Sequence, residues 1–243
     1  MTGERIALQP AYVLHRRPYR ETSLLVEAFT AEHGRVGLIA KGVRRGKGRL
    51  QGVLQPFHPL LLSWSGRGEL RSLTDAEGRG PVPVLSGRTI YSAFYLNELL
   101  LRLTEREDPH PALFAHYGET LAALCEDEEW ALRLFERDLL SELGYGLALE
   151  TDVDGEPIAE DALYDYQAEI GAIRCGDVPT VRAISGRALL VLGGRVPPDE
   201  QSRREVKKLL RRVLRLYLGT RPLESRVLYA SALGLQDNEE EQP

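Results

Sequence analysis

The chain has 243 residues, 43% of them hydrophobic, and a formal net charge of −5 at pH 7. That length suits one large domain or two ordinary ones, and the apolar share excludes wholesale disorder. The only two cysteines, Cys125 and Cys175, exclude a disulfide framework and fit a reducing cytosol.

The opening MTGERIALQP lacks a basic stretch leading into an apolar run, so no secretory signal is expected. No run reaches the roughly eighteen apolar residues that a membrane helix needs. The net charge hides an asymmetry. Residues 1–80 carry 13 Lys and Arg against 7 Asp and Glu, whereas residues 81–243 carry 18 against 29. Such a split suggests that one half meets a polyanion and the other does not.

Residues 1–80 read as β-structure. AYVLH, TSLLVEAFT, GRVGLIA, LQPFHPLLLSW and ELRSLT are short Val-, Leu-, Ile- and aromatic-rich runs, separated by RRPYRE, AEHG, a basic loop and SGRG. Val36, Leu38 and Ala40 share one face. Five short strands in this length suit a small closed barrel without exposed edges. Pro56 and Pro59 predict a bend or unpaired segment inside the fourth run.

The basic loop is AKGVRRGKGRLQG, with Lys41, Arg44, Arg45, Lys47 and Arg49 and no acid. It is not a nucleotide-binding P-loop: Gly42 and Gly46 are one residue too close, and Gly48 stands where the magnesium-binding hydroxyl is needed. It either lays cations along a phosphate backbone or is simply solvated. Arg16 and Arg17 in RRPYRE and Arg35 in the third run add to the positive side. Tyr19, between strands and among arginines, is a candidate base-stacking platform or a packing residue.

After Gly80 and the linker-like PVPVLSG the period changes to 3.6. Ile90, Ala93, Phe94, Leu96, Leu100 and Leu103 fall on one helical face. A second helix is expected to open at Asp108 with Pro109 in its first position. A third runs through EEWALRLFERDLLSELG to Gly144. Residues from about 148 to 178 are strongly acidic and read as an irregular excursion. VPTVRAISGRALLVLGG reads as a short helix. Asp199 caps a last long helix that ends at Gly219. A short helix from Thr220 to about Leu233 precedes an acidic tail, 236–243, expected to be disordered.

The last long helix carries a second cationic cluster. Arg203, Arg204, Lys207, Lys208, Arg211, Arg212 and Arg215 form one stripe, opposite a core stripe of Val206, Leu209, Leu210, Val213, Leu214 and Tyr217. Two basic clusters favour nucleic-acid binding over solvated faces. Enzyme readings fare poorly. The five histidines show no H-E-x-x-H, Ser63 and Ser65 lack G-x-S-x-G, and Cys125 sits among acids that blunt a thiolate. Asp152, Asp154 and Gly155 start a calcium-like loop but lack its third acidic position.

AYVLHRRPYRETSLLVEAFTAEHGRVGLIAKGVRR, LQPFHPLLLSWSGRGEL, YLNELLLRL, LLSELGYG and YLGTRPLESRVL, in that order over nearly the whole chain, closely resemble the RecO family of bacterial DNA-repair mediators. The resemblance implies an α+β fold, a five-stranded OB-fold barrel (1–80) followed by an α-helical domain (81–243). It implies no enzymatic activity and no cofactor. It implies binding of single- and double-stranded DNA, strand annealing, and loading of RecA with RecR as partner. It also implies docking of the C-terminal tail of single-strand-binding protein, for which Arg133, Phe135, Arg137 and Leu139 are candidates. A free monomer in the bacterial cytoplasm, associated with the nucleoid, is expected. In place of the four-cysteine zinc module of some members, this chain retains only Cys175, so no intact zinc module is expected. In the R-P-L-x-S-R motif Glu224 replaces the usual cation and leaves Arg221 and Arg226 as DNA candidates. The alternatives are an OB-fold RNA-binding module and a protein adaptor that binds no DNA.

Overall fold

The computed structural model describes residues 5–45, 49–176 and 181–232. The chain divides into two compact units. One runs from the N-terminus to Glu128 and takes in the chain again from Pro222, and the other spans Glu129–Arg221.

The first unit opens with a closed barrel. Its strands are β1 (Arg5–Tyr19), β2 (Ser23–Thr30), β3 (Gly34–Ala40), β4 (Leu60–Ser65) and β5 (Leu70–Gly78), in the order β1-β2-β3-β5-β4. This confirms the five-stranded OB-type barrel of an α+β protein. Closure comes from parallel pairing of β3 with β5, Leu38 opposite Arg71. Val36, Leu38 and Ala40 point inward with Val13, Leu62 and Trp64, as the alternation predicts. β1 is much longer than the expected AYVLH. It extends through Arg16–Tyr19, so most of RRPYRE is strand rather than turn. Register shifts at Ile6/Gln9 and Val13/His15 let one strand bend and pair with both β2 and β4. β4 starts only after Pro59, as the prolines predict.

Between β3 and β4 lie a 3₁₀ turn, Val43–Arg45, and a short helix α1 (Arg49–Val53). The expected basic loop is therefore partly helical. Buried Val43 pins its first turn to the barrel core, and buried Leu54 follows α1.

α2 (Arg88–Leu103) buries Ala93, Leu96, Asn97 and Leu100. Phe94, expected on this face, is 39% exposed and instead meets the Phe57 ring edge-on at 4.9 Å. The buried arc is centred between Leu96 and Leu100 and takes in at its edge Asn97, a polar residue that a hydrophobic count passes over. α3 (Pro111–Ala123) starts two residues later than expected, with His110 and Pro111 in the places foreseen for Asp108 and Pro109. His110 precedes a second proline, which drives it out of the helical region, so the helix can begin only at Pro111. Gly34 has φ +59, and a Cβ there would lie 2.0 Å from the Asp108 carbonyl oxygen, so only glycine lets this connection lie against β3.

In the second unit α4 (Glu128–Glu142) ends before Gly144, whose φ of 81 stops the helix as expected. The acidic stretch is not the irregular excursion expected. It contains β6 (Leu163–Gln167) and β7 (Gly171–Arg174), which join β8 (Ala183–Ser185) in an antiparallel sheet of order β7-β6-β8. Buried Tyr164 and Tyr166 flank Asp165 in a period of two that the surrounding acids conceal. The expected short helix is split: β8 leads into α5 (Gly186–Leu192), capped by the Ser185 hydroxyl, which accepts from the Ala188 amide at 3.2 Å.

α6 (Glu200–Leu218) matches the reading most closely. Asp199 and Ser202 form a reciprocal capping box, and Val206, Leu209, Leu210, Val213 and Leu214 are buried. Tyr217 is the exception in the core stripe: it is half-buried and stacks on Tyr145 at 4.0 Å. α7 (Glu224–Ala232) is the short helix expected near the end, and the acidic tail lies outside the described residues. No described helix is long and apolar enough to cross a membrane.

Candidate nucleic-acid interface

On the barrel, the first half of the basic segment is held against the β1–β2 turn. The Arg44 amide donates to the Thr22 carbonyl at 2.9 Å, and Arg44 Nη1 donates to the Arg20 carbonyl at 3.2 Å. This brings exposed Lys41 and Arg44 beside the turn that follows Arg17 and Tyr19. Tyr19 is the last residue of β1 and half-buried, with the Arg20 guanidinium 5.2 Å from its ring centre. Arg20, visible in RRPYRE as a neighbour of Tyr19, was not among the expected contact residues. The side chains of Arg45, Lys47 and Arg49 lie outside the described residues.

Two other candidates have work inside the fold. Arg16 Nη1 donates to the Leu54 carbonyl at 3.0 Å and Nη2 donates to Gln55 Oε1 at 2.6 Å, just past the C-terminus of α1. It thus satisfies carbonyls that a short helix leaves open. Arg35 Nη1 donates to the Leu101 carbonyl at 2.6 Å, tying β3 to the end of α2. Burial lowers the Arg35 pKa, partly offset by the charge of Glu27. Both act as struts, with some of their donors spent within the fold rather than turned to solvent.

On α6 the seven cations divide. Arg203 lies over the Trp130 ring at 5.2 Å, Arg204 pairs with Glu200, and Lys207 pairs with Glu129 at 2.8 Å. That hydrogen bond from Lys207 is the largest cause of the lowered Glu129 pKa. Arg212 is half-buried and donates to the Tyr166 carbonyl at 2.8 Å, a bond to the small sheet rather than to solvent. Lys208, Arg211 and Arg215 are exposed. Their spacing follows the helical repeat and puts all three in one row about 10 Å long. Arg221 and Arg226 are also exposed.

The expected tail-docking groove is not an open face. Phe135 and Leu139 have no exposed surface and belong to the core. Arg137 Nη1 donates to the Leu192 carbonyl at 2.9 Å, and its Nε pairs with Asp138. Arg133 is 5% exposed and pairs with fully buried Glu136 at 2.7 Å. Its Nε and Nη1 have no acceptor among the described residues. Among the described residues no group of three or more His, Cys, Asp or Glu could hold a metal ion.

Residues 5–82 match the family model for Recombination protein O N terminal, and residues 85–226 match that for Recombination protein O C terminal. The chain belongs to the RecO family. The DNA repair protein RecO of Alkalilimnicola ehrlichii is 51% identical over 94% of this chain and 93% of its own length. That of Nitrosococcus oceani is 50% identical over 98% of this chain and 100% of its own, and that of Methylococcus capsulatus is 49% identical over 94% and 95%. RecO membership places the chain among proteins of DNA repair by recombination. The family boundary between the N- and C-terminal parts falls just after β5, where the sequence changes from strand to helix period.

Proposed function

We propose that the protein is a recombination mediator that works by binding rather than by making bonds. It holds single- and double-stranded DNA through phosphates, anneals complementary strands, and with RecR helps load RecA onto DNA coated by single-strand-binding protein. It does so in the bacterial cytoplasm, on nucleoid DNA, and is a monomer when free. The observation that carries this reading is the cationic corner of the barrel, where exposed Lys41 and Arg44 are fastened beside the turn following Arg17 and Tyr19. Cations that meet phosphates and not base edges give binding without sequence preference. Neutralising two backbones on one protein removes the repulsion that keeps complementary strands apart.

The test is fluorescence anisotropy of a labelled single-stranded DNA oligomer over a salt series, with the full chain. About six phosphate contacts should give log K against log salt a slope near −4. Replacing Lys41, Arg44, Arg45, Lys47 and Arg49 together by alanine should flatten it by about 0.7 for each contact removed. Replacing Lys208, Arg211 and Arg215 by alanine should flatten it by about 2. Identical curves for all three proteins would sink the reading. An RNA competitor that displaces the probe better than DNA would transfer it to RNA.

For the tail of single-strand-binding protein, buried Arg133 supports the docking site, since its unmatched donors suit a carboxylate. Removing Arg133 alone would take the guanidinium away from buried Glu136, a costly loss. The double variant Arg133→Met/Glu136→Leu avoids that. It should stay folded and bind an acidic peptide with an apolar C-terminus at least tenfold more weakly. Unchanged peptide affinity in the folded double variant would remove the site.

A further inference from the structure

α7 is nine residues long, too short to be a stable helix by itself. Its start is held by a residue far away in sequence. Glu98, on α2, accepts hydrogen bonds from the Glu224 and Ser225 amides, both at 2.9 Å, and from the Ser225 hydroxyl at 2.6 Å. The carboxylate thereby fills the place of a helix cap and lies at the positive end of the helix dipole. Arg102, one turn along α2, pairs with Glu98 at 3.5 Å and donates to the Pro222 carbonyl at 3.2 Å. Partial burial works against the charge on Glu98, but the bonds from Ser225 and Glu224 and the charge of Arg102 hold its pKa below the ordinary carboxylate value. The carboxylate is ionised at neutral pH and matched to the donors it faces.

This docking has a consequence at the surface. Tyr229 meets Tyr91 of α2 edge-on at 6.0 Å, and the Arg88 guanidinium lies 5.8 Å from the Tyr229 ring centre. Arg226 precedes Tyr229 by three residues, so the two are neighbours on the helix surface. Arg226 is exposed, and the Arg88 side chain is 64% exposed. Arg88 reaches Glu128 only at 3.6 Å, a solvent-screened pair that leaves its guanidinium open to a stronger anion. The docking of α7 on α2 thus sets Arg88 against Tyr229, one helical turn from Arg226.

We propose that Glu98 is a positioning residue for DNA contact: by capping α7 from α2 it fixes the face of α7 that carries Arg226 and Tyr229, with Arg88 against Tyr229, and the two arginines meet the DNA backbone there. The inference rests on the DNA-binding reading above. It places Glu98 and Ser225 behind the site, and gives the R-P-L-E-S-R segment a division of labour. Ser225 is the socket, and Arg226 is the contact.

The experiment is the same DNA salt series, run on full-length protein with Glu98→Ala, Ser225→Ala, Arg88→Ala/Arg226→Ala and the triple variant Glu98→Ala/Arg88→Ala/Arg226→Ala. Hydrogen exchange over 222–232 is followed in parallel. The arginine pair should lose affinity about tenfold and flatten the slope by about 1. Glu98→Ala should accelerate exchange in α7 and produce most of that loss, and Ser225→Ala should act the same way to a smaller extent. The triple variant should bind no more weakly than the arginine pair, because all three residues serve one contact. Faster exchange in Glu98→Ala with affinity and slope unchanged would reduce Glu98 to a structural cap and overturn the inference. So would a fully additive loss in the triple variant. If the unaltered protein shows no salt-dependent binding, the DNA reading itself fails, an outcome distinct from both. Ser225→Ala leaves α2 intact, so it keeps the inference falsifiable if Glu98→Ala does not fold.

Discussion

Replacing Phe29 by alanine should destabilise the first unit by about 3–5 kcal/mol, the usual cost of emptying a buried aromatic site. Phe29 has no exposed surface, although it is on the outer side of β2, where its neighbour Ala28 takes the inward position. α3 covers it. The Phe29 ring lies 5.6 Å from Phe114 and 6.4 Å from Tyr117, and Tyr12 of β1 lies 5.3 Å and 4.9 Å from the same two rings. These four aromatics fasten α3 to the barrel wall. The fit leaves little slack: a Cβ on Gly118 would come within 2.7 Å of the Tyr12 hydroxyl oxygen. The cavity left by Phe29→Ala therefore cannot close by a small shift. Urea unfolding followed by the signal of buried Trp64 should show a lower midpoint at unchanged slope. A loss below about 1 kcal/mol would mean that α3 is held by other contacts.

Asn97→Ala should cost roughly 2–5 kcal/mol, because it removes a hydrogen bond from each of two buried polar groups at once. Leu14 falls at the register shift between Val13 and His15, so its carbonyl has no partner in the β1–β2 ladder. Asn97 Nδ2 donates to that carbonyl at 2.8 Å, and Asn97 Oδ1 accepts from the Tyr117 hydroxyl at 2.6 Å. Burial pushes the Tyr117 phenol well above its usual pKa, so it remains a donor. Tyr117→Phe should destabilise the unaltered protein by about 1–3 kcal/mol and the Asn97→Ala variant by clearly less, since the acceptor is then already gone. Equal effects in both backgrounds would dissolve the proposed coupling.

These two residues show where sequence reading reaches and where it stops. The barrel strands and α6 were legible because each is stated locally, by alternation in Val36, Leu38 and Ala40 and by the Asp199 cap with its apolar stripe. The strands of the second unit were not, because the tyrosines of β6 are spaced within acids that read as surface. Arg16 and Arg35 read as phosphate contacts because charge is visible in a sequence and hydrogen-bond partners are not. Their acceptors lie 38 and 66 residues away. The same limit hid Asn97, which bonds a carbonyl 83 residues earlier, and Glu98, which bonds a hydroxyl 127 residues later. The basic segment was read correctly as basic, but the 3₁₀ turn within it depends on Val43 entering a core that closes only when β4 and β5 arrive.

The first unit takes in both ends of the described chain, with α7 returning to α2 after the whole of the second unit has been traversed. A ribosome delivers residues in order, at about 5–20 per second. Barrel, α2 and α3 are thus complete for on the order of ten seconds before Ser225 leaves the exit tunnel, and during that time Glu98 has no helix to cap. A nascent or prematurely terminated chain would carry a finished barrel with an empty socket on α2.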